Sequence, residues 1–125
     1  MFLKVLLLSA GGAIGALLRY ALGGSVHKIA GHHFPFGTLA VNILGCFLIG
    51  FFAVLHHEKL VFGPNMRLFF MVGVLGAFTT FSAFSYETWS LMEANEWIKA
   101  TLNIFLSVGL GMFGLWLGVL LGRLF

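Results

Sequence analysis

Charge is what this sequence has least of: 9% of its 125 residues are Asp, Glu, Lys or Arg, against about 25% in an ordinary soluble domain. A chain so poor in charge cannot cover a water-facing surface, which excludes that class. Cysteine is reduced to Cys46, so no disulfide framework forms within one chain, and inside an apolar span it reads as a small apolar residue. Two prolines exclude Pro-rich linkers, and no stretch repeats at a fixed period. The formal charge of +3 is scattered, so nothing clusters to follow a nucleic acid. No nucleophile stands with a general base, and an enzyme is not expected.

What is abundant is apolar length. Hydrophobic residues make up 60% of the chain, and a spanning helix needs roughly 20 mostly apolar residues. Four such stretches run from about Phe2 to Gly24, Phe34 to Leu55, Leu68 to Ser90 and Ala100 to Leu121. They leave only short loops, so the chain reads as an all-α membrane protein, a single four-helix transmembrane unit over residues 1–125. The function then lies inside the membrane. The opening MFLKVLLLSAGGA has features of a signal peptide, but its glycine pattern continues through the point where cleavage would fall, and the first span is expected to stay. His27, His32, His33, His56 and His57 flank helix ends with few carboxylates and no second Cys nearby, and they are expected to be interfacial and solvated rather than metal ligands.

With the amino terminus on one side, that side collects Lys4, Lys59, Arg67 and Arg123, and the other Arg19, Lys28 and Lys99. Orientation follows an excess of Lys and Arg in cytoplasmic loops, and four against three is almost no excess. The chain is expected to insert both ways, as a dual-topology protein. Glycine numbers 17, and Gly114, Gly118 and Gly122 lie four apart on one helix face. Small residues let helix backbones approach closely in lipid. Four thin helices make a poor container for a pore, so the working unit is expected to be an oligomer.

Polar groups at membrane depth are functional candidates. Arg19, in GGAIGALLRY, either snorkels to the headgroups or lends positive potential to an aqueous vestibule. Asn42, in GTLAVNILGCFLIG, is either interhelical glue or a pore residue presenting N–H donors to an anion. Gly73, Gly76 and the hydroxyls of GAFTTFSAFSYE concentrate at one place, which predicts a broken helix; such breaks are tolerated where they line a cavity, and they expose carbonyls and half-helix ends to ions. Phe81 and Phe84 share a face, and their ring edges carry partial positive charge suited to an anion; otherwise they are core or lipid-facing rings. Glu87 sits at the end of its span, within reach of water. Asn103 and Ser107, one turn apart, either extend a polar track or bond a neighbouring helix.

These three segments, in this order on the first three of four short spans, are similar to the Fluc (CrcB) family of fluoride channels over the full length. The resemblance implies an antiparallel homodimer with two fluoride pores, carrying fluoride passively out through a bacterial inner membrane to relieve its toxicity. It makes Asn42 the pore asparagine and Phe81 and Phe84 the aromatic pair. It gives Gly76 and Thr79 backbone carbonyls to a structural Na⁺ at the dimer centre, sets Arg19 near the vestibule, and places Thr80, Ser82 and Glu87 around the pore. On the last helix, Asn103 falls where members often have a tyrosine, and Gly111 where a further hydroxyl would extend the track beyond Ser107. The alternative is a proton-coupled exporter of the small multidrug type, which needs a carboxylate that the first span lacks.

Overall fold

The computed structural model describes all 125 residues. Its elements are α1 (Phe2–Ala30), α2 (Phe36–His57), α3 (Pro64–Arg67), a π-helical stretch (Leu68–Val74), α4 (Leu75–Phe78), α5 (Phe81–Glu93) and α6 (Trp97–Leu124). In hydrocarbon every backbone N–H and C=O must pair within the protein, and a helix does this locally. Four spans are long and apolar enough to cross a membrane: α1, α2, the run Pro64–Glu93 and α6.

The helices extend further than the apolar stretches. α1 continues to Ala30 and α6 starts at Trp97, because hydropathy marks the hydrocarbon depth while the helical hydrogen-bond ladder persists into the wet interface. The links are correspondingly tight. Gly31 ends α1 at φ 91°, a left-handed conformation that suits a residue without Cβ, and its N–H donates to the His27 carbonyl. Asn95, at φ 59°, closes the turn between α5 and α6.

Helix packing is organised by backbone approach. α2 and α6 form the most extensive pairing, with the Gly114, Gly118 and Gly122 edge laid against α2. A Cβ on Gly118 would collide with the Phe47 carbonyl oxygen, and one on Gly50 with that of Leu115. α1 packs on the π-helical stretch in the same way: a Cβ on Gly11 would lie 2.6 Å from the Phe69 carbonyl oxygen, and one on Gly15 would strike that of Val74. The small apolar core, Val41, Leu75 and Phe78, joins α2 to α4 beside the functional region. Only 21 of 125 residues are buried, so most of the apolar surface must face lipid or another protein.

Gly118→Ala is expected to lower stability by about 1–3 kcal/mol through overpacking, whereas Gly109→Ala, with nothing within 4 Å of the added methyl, should not. Thermal unfolding in detergent compares the two; equal midpoints would contradict the close packing.

Candidate functional site

The third span departs from helix at two threonines. Thr79 (φ −87°, ψ 155°) and Thr80 (φ −150°, ψ 116°) are extended between α4 and α5, while Gly76 stays helical within α4. In an uninterrupted helix the Thr80 N–H would close on the Gly76 carbonyl and the Ala83 N–H on that of Thr79. Here the Thr80 N–H donates to Asn42 Oδ1 at 2.8 Å, and the Ala83 N–H donates to Thr80 Oγ1 at 3.1 Å. Asn42 Nδ2 in turn donates to the Thr80 carbonyl at 3.0 Å. The Asn42 carboxamide thus pairs with the backbone N–H and C=O of one residue as a neighbouring strand would, and Thr80 caps the restarted helix. The Gly76 and Thr79 carbonyls are left without their usual helical donors. The Leu75 carbonyl, by contrast, accepts both the N–H and the Oγ1 proton of Thr79.

Two grooves meet at this point. One, of about 380 Å³, is lined by Asn42, Thr79, Thr80, Phe81, Phe84 and Ser107 among others. The Phe81 and Phe84 rings lie 5.5 Å apart at 43°, and Phe81 is 80% exposed. The second, of about 730 Å³, is lined by Arg19, Thr38, Thr80, Ser82, Tyr86 and Glu87 among others. Thr80 belongs to both walls, so the grooves adjoin there, and its Oγ1 lies 3.2 Å from Ser82 Oγ. Glu87 turns inward rather than to water: Thr38 Oγ1 donates to its Oε1 at 2.7 Å, and its Oε2 is buried without a partner.

Asn103 and Ser107 separate. Ser107 lines the first groove, whereas Asn103 lies behind it, 2% exposed. Asn103 Nδ2 donates to Thr88 Oγ1 at 2.9 Å, Thr88 Oγ1 donates to the Phe84 carbonyl at 2.7 Å, and Ser107 Oγ donates to Asn103 Oδ1 at 3.4 Å. Sequence reasoning did not single out Thr88; the available signal was its place one turn after Phe84 on the same helix face.

Among the histidines, His27 and His32 stack with ring centroids 5.0 Å apart, beside a cleft of about 240 Å³ that also reaches Glu87. No three His, Cys, Asp or Glu side chains converge to hold a metal. At the opposite end of the helices, Arg123 makes a two-pronged pair with Glu58, Nη2 to Oε1 at 2.8 Å and Nε to Oε2 at 3.1 Å. Those hydrogen bonds hold the Glu58 carboxyl below its ordinary value.

The sequence model of the CrcB-like proteins, described as camphor resistance (CrcB), matches residues 6–119. The chain belongs to the CrcB family. This CrcB chain is 44% identical over 119 residues to a protein of Geobacter sulfurreducens named fluoride-specific ion channel FluC, covering 95% of this chain and 96% of that one. A protein of the same name from Desulforapulum autotrophicum is 45% identical over 121 residues, 97% of each chain. Another, from Hahella chejuensis, is 48% identical over 114 residues, 91% of this chain and 90% of its own.

In the CrcB chain, Asn42→Leu strands the buried Thr80 N–H and carbonyl. The expected destabilisation is about 1–3 kcal/mol for each stranded group, read by thermal unfolding in detergent. An unchanged midpoint would show that the pairing contributes nothing.

Proposed function

We propose that this chain is the subunit of a fluoride-selective channel that lets the anion leave a bacterial cell passively through its inner membrane, relieving fluoride toxicity. The names of the relatives point to the ion, and the junction of two grooves at Thr80, where Asn42 and a few hydroxyls stand among mostly apolar walls beside Phe81 and Phe84, carries the reading. Arg19 supplies positive potential to the wider groove, where an anion gathers. The remaining N–H of Asn42 and the hydroxyls of Thr80, Ser82 and Ser107 replace part of its water. The edges of Phe81 and Phe84 then offer positive charge without a tightly held cation. Glu87 and its Thr38 partner border this path, and Asn103 supports it from behind.

The outward exposure of Phe81 suits a groove completed by a second copy. Near-equal positive charge on the two sides suits an antiparallel homodimer that inserts in both orientations. A structural Na⁺ fits the Gly76 and Thr79 carbonyls, because Asn42 and Thr80 take the two donors that would otherwise occupy them. Such a cation would bind oxygens from both chains and hold them together at the broken helices. The exporter alternative gains nothing from the geometry, since α1 carries no Asp or Glu.

Purified protein in liposomes tests the reading, with efflux followed by a fluoride electrode in parallel with chloride and a cationic dye. Fluoride release without the other two is expected, and it should slow at least tenfold in Phe81→Ile or Phe84→Ile, the change that follows from about 1.4 kcal/mol lost at one ring. Equal chloride release would refute the channel assignment. Prolonged exchange of Na⁺ for a large organic cation is expected to shift the protein from dimer to monomer on size exclusion; an unaltered dimer would remove the cation from the account.

A further inference from the structure

We propose that Asn103 and Thr88 are positioning residues that set the direction of the Ser107 hydroxyl, and through it how tightly the groove holds an anion; this rests on the channel reading above. Thr88 Oγ1 lies 2.7 Å from the Phe84 carbonyl oxygen. Two oxygens at that separation need a proton between them, and the carbonyl brings none. The Thr88 proton is therefore committed to Phe84, and Thr88 Oγ1 is left as an acceptor. The Asn103 atom 2.9 Å from it must be the amino group, which fixes the carboxamide and turns Oδ1 toward Ser107. Thr88 and Asn103 are 5% and 2% exposed, so water offers neither a substitute partner.

The consequence falls on Ser107, the one member of this series that lines the groove with Asn42 and Phe84. Facing an oxygen, it donates its proton to Asn103 at 3.4 Å, a long and weak bond. An anion in the groove has to draw that same proton away from Asn103. The competition weakens the hold on the anion without abolishing it, and conduction needs a site firm enough to enter and weak enough to leave. Thr88 thus acts on the anion through Asn103 and Ser107 without touching it.

Thr88→Val keeps the side-chain shape and removes the acceptor, so the Asn103 amide is freed to turn its amino group to Ser107 and release the Ser107 proton. The half-saturating fluoride concentration for efflux from liposomes is expected to fall about two- to tenfold, as for one neutral hydrogen bond. Thr88→Ser should restore the wild-type value, and Asn103→Leu should shift it as Thr88→Val does. In a Ser107→Ala background Thr88→Val should produce no shift, because the effect passes through that hydroxyl. An unchanged or raised half-saturation in the single variants, or a shift that persists without Ser107, would overturn the proposal. Wild-type liposomes that release no fluoride would instead refute the channel reading itself, so the two failures are distinguishable.

Discussion

The pairing of Asn42 with the backbone N–H and C=O of Thr80 is the constraint on which the rest depends. An extended residue within a membrane span presents an N–H and a C=O that neither lipid nor its own helix satisfies. The carboxamide of Asn42 supplies one acceptor at 2.8 Å and one donor at 3.0 Å, the two functions of a peptide group carried on a side chain. For this to work, α2 must lie against the third span at a fixed height. The Val41, Leu75 and Phe78 cluster and the glycine-lined seam between α2 and α6 set that height.

From this pairing the local chemistry follows. With Thr80 held extended, its side chain caps α5, and the restarted helix turns Phe81 and Phe84 into the groove that Asn42 lines. The same two donors, once committed to Asn42 Oδ1 and Thr80 Oγ1, leave the Gly76 and Thr79 carbonyls free. On the function proposed above, one arrangement serves both the anion-facing surface and the oxygens assigned to the cation. Its polar groups divide into those spent inside the chain and those left to face the groove. Thr88 and Asn103 belong wholly to the first kind, while Asn42 and Ser107 belong to both.

Much of this was legible in the sequence, and for identifiable reasons. Four apolar runs separated by charges marked the spans, and the four-residue glycine spacing marked the α6 face that meets α2. Asn42 and the Thr79–Thr80 pair stood out because polar residues are rare at such depth. Glycine was a poorer guide to backbone conformation: Gly76 is helical, and the extended residues are the threonines beside it, because a partner side chain on α2 and a capping hydroxyl decide the matter. The π-helical turns at Leu68–Val74 left no mark either, since LFFMVGV carries no residue pattern that distinguishes them from an apolar α-helix. Thr88 was hidden because a threonine bonding its own preceding turn is commonplace, and its importance comes from Asn103, 15 residues away.

Hydrogen–deuterium exchange at single-residue resolution by NMR, on the protein in lipid nanodiscs, tests the pairing most directly. The Thr80 amide, although outside any helical ladder, should exchange as slowly as the helical amides of α5, and exposing it should require removal of the Asn42 side chain. A Thr80 amide that exchanges as fast as that of the exposed loop residue Leu60 would contradict the account.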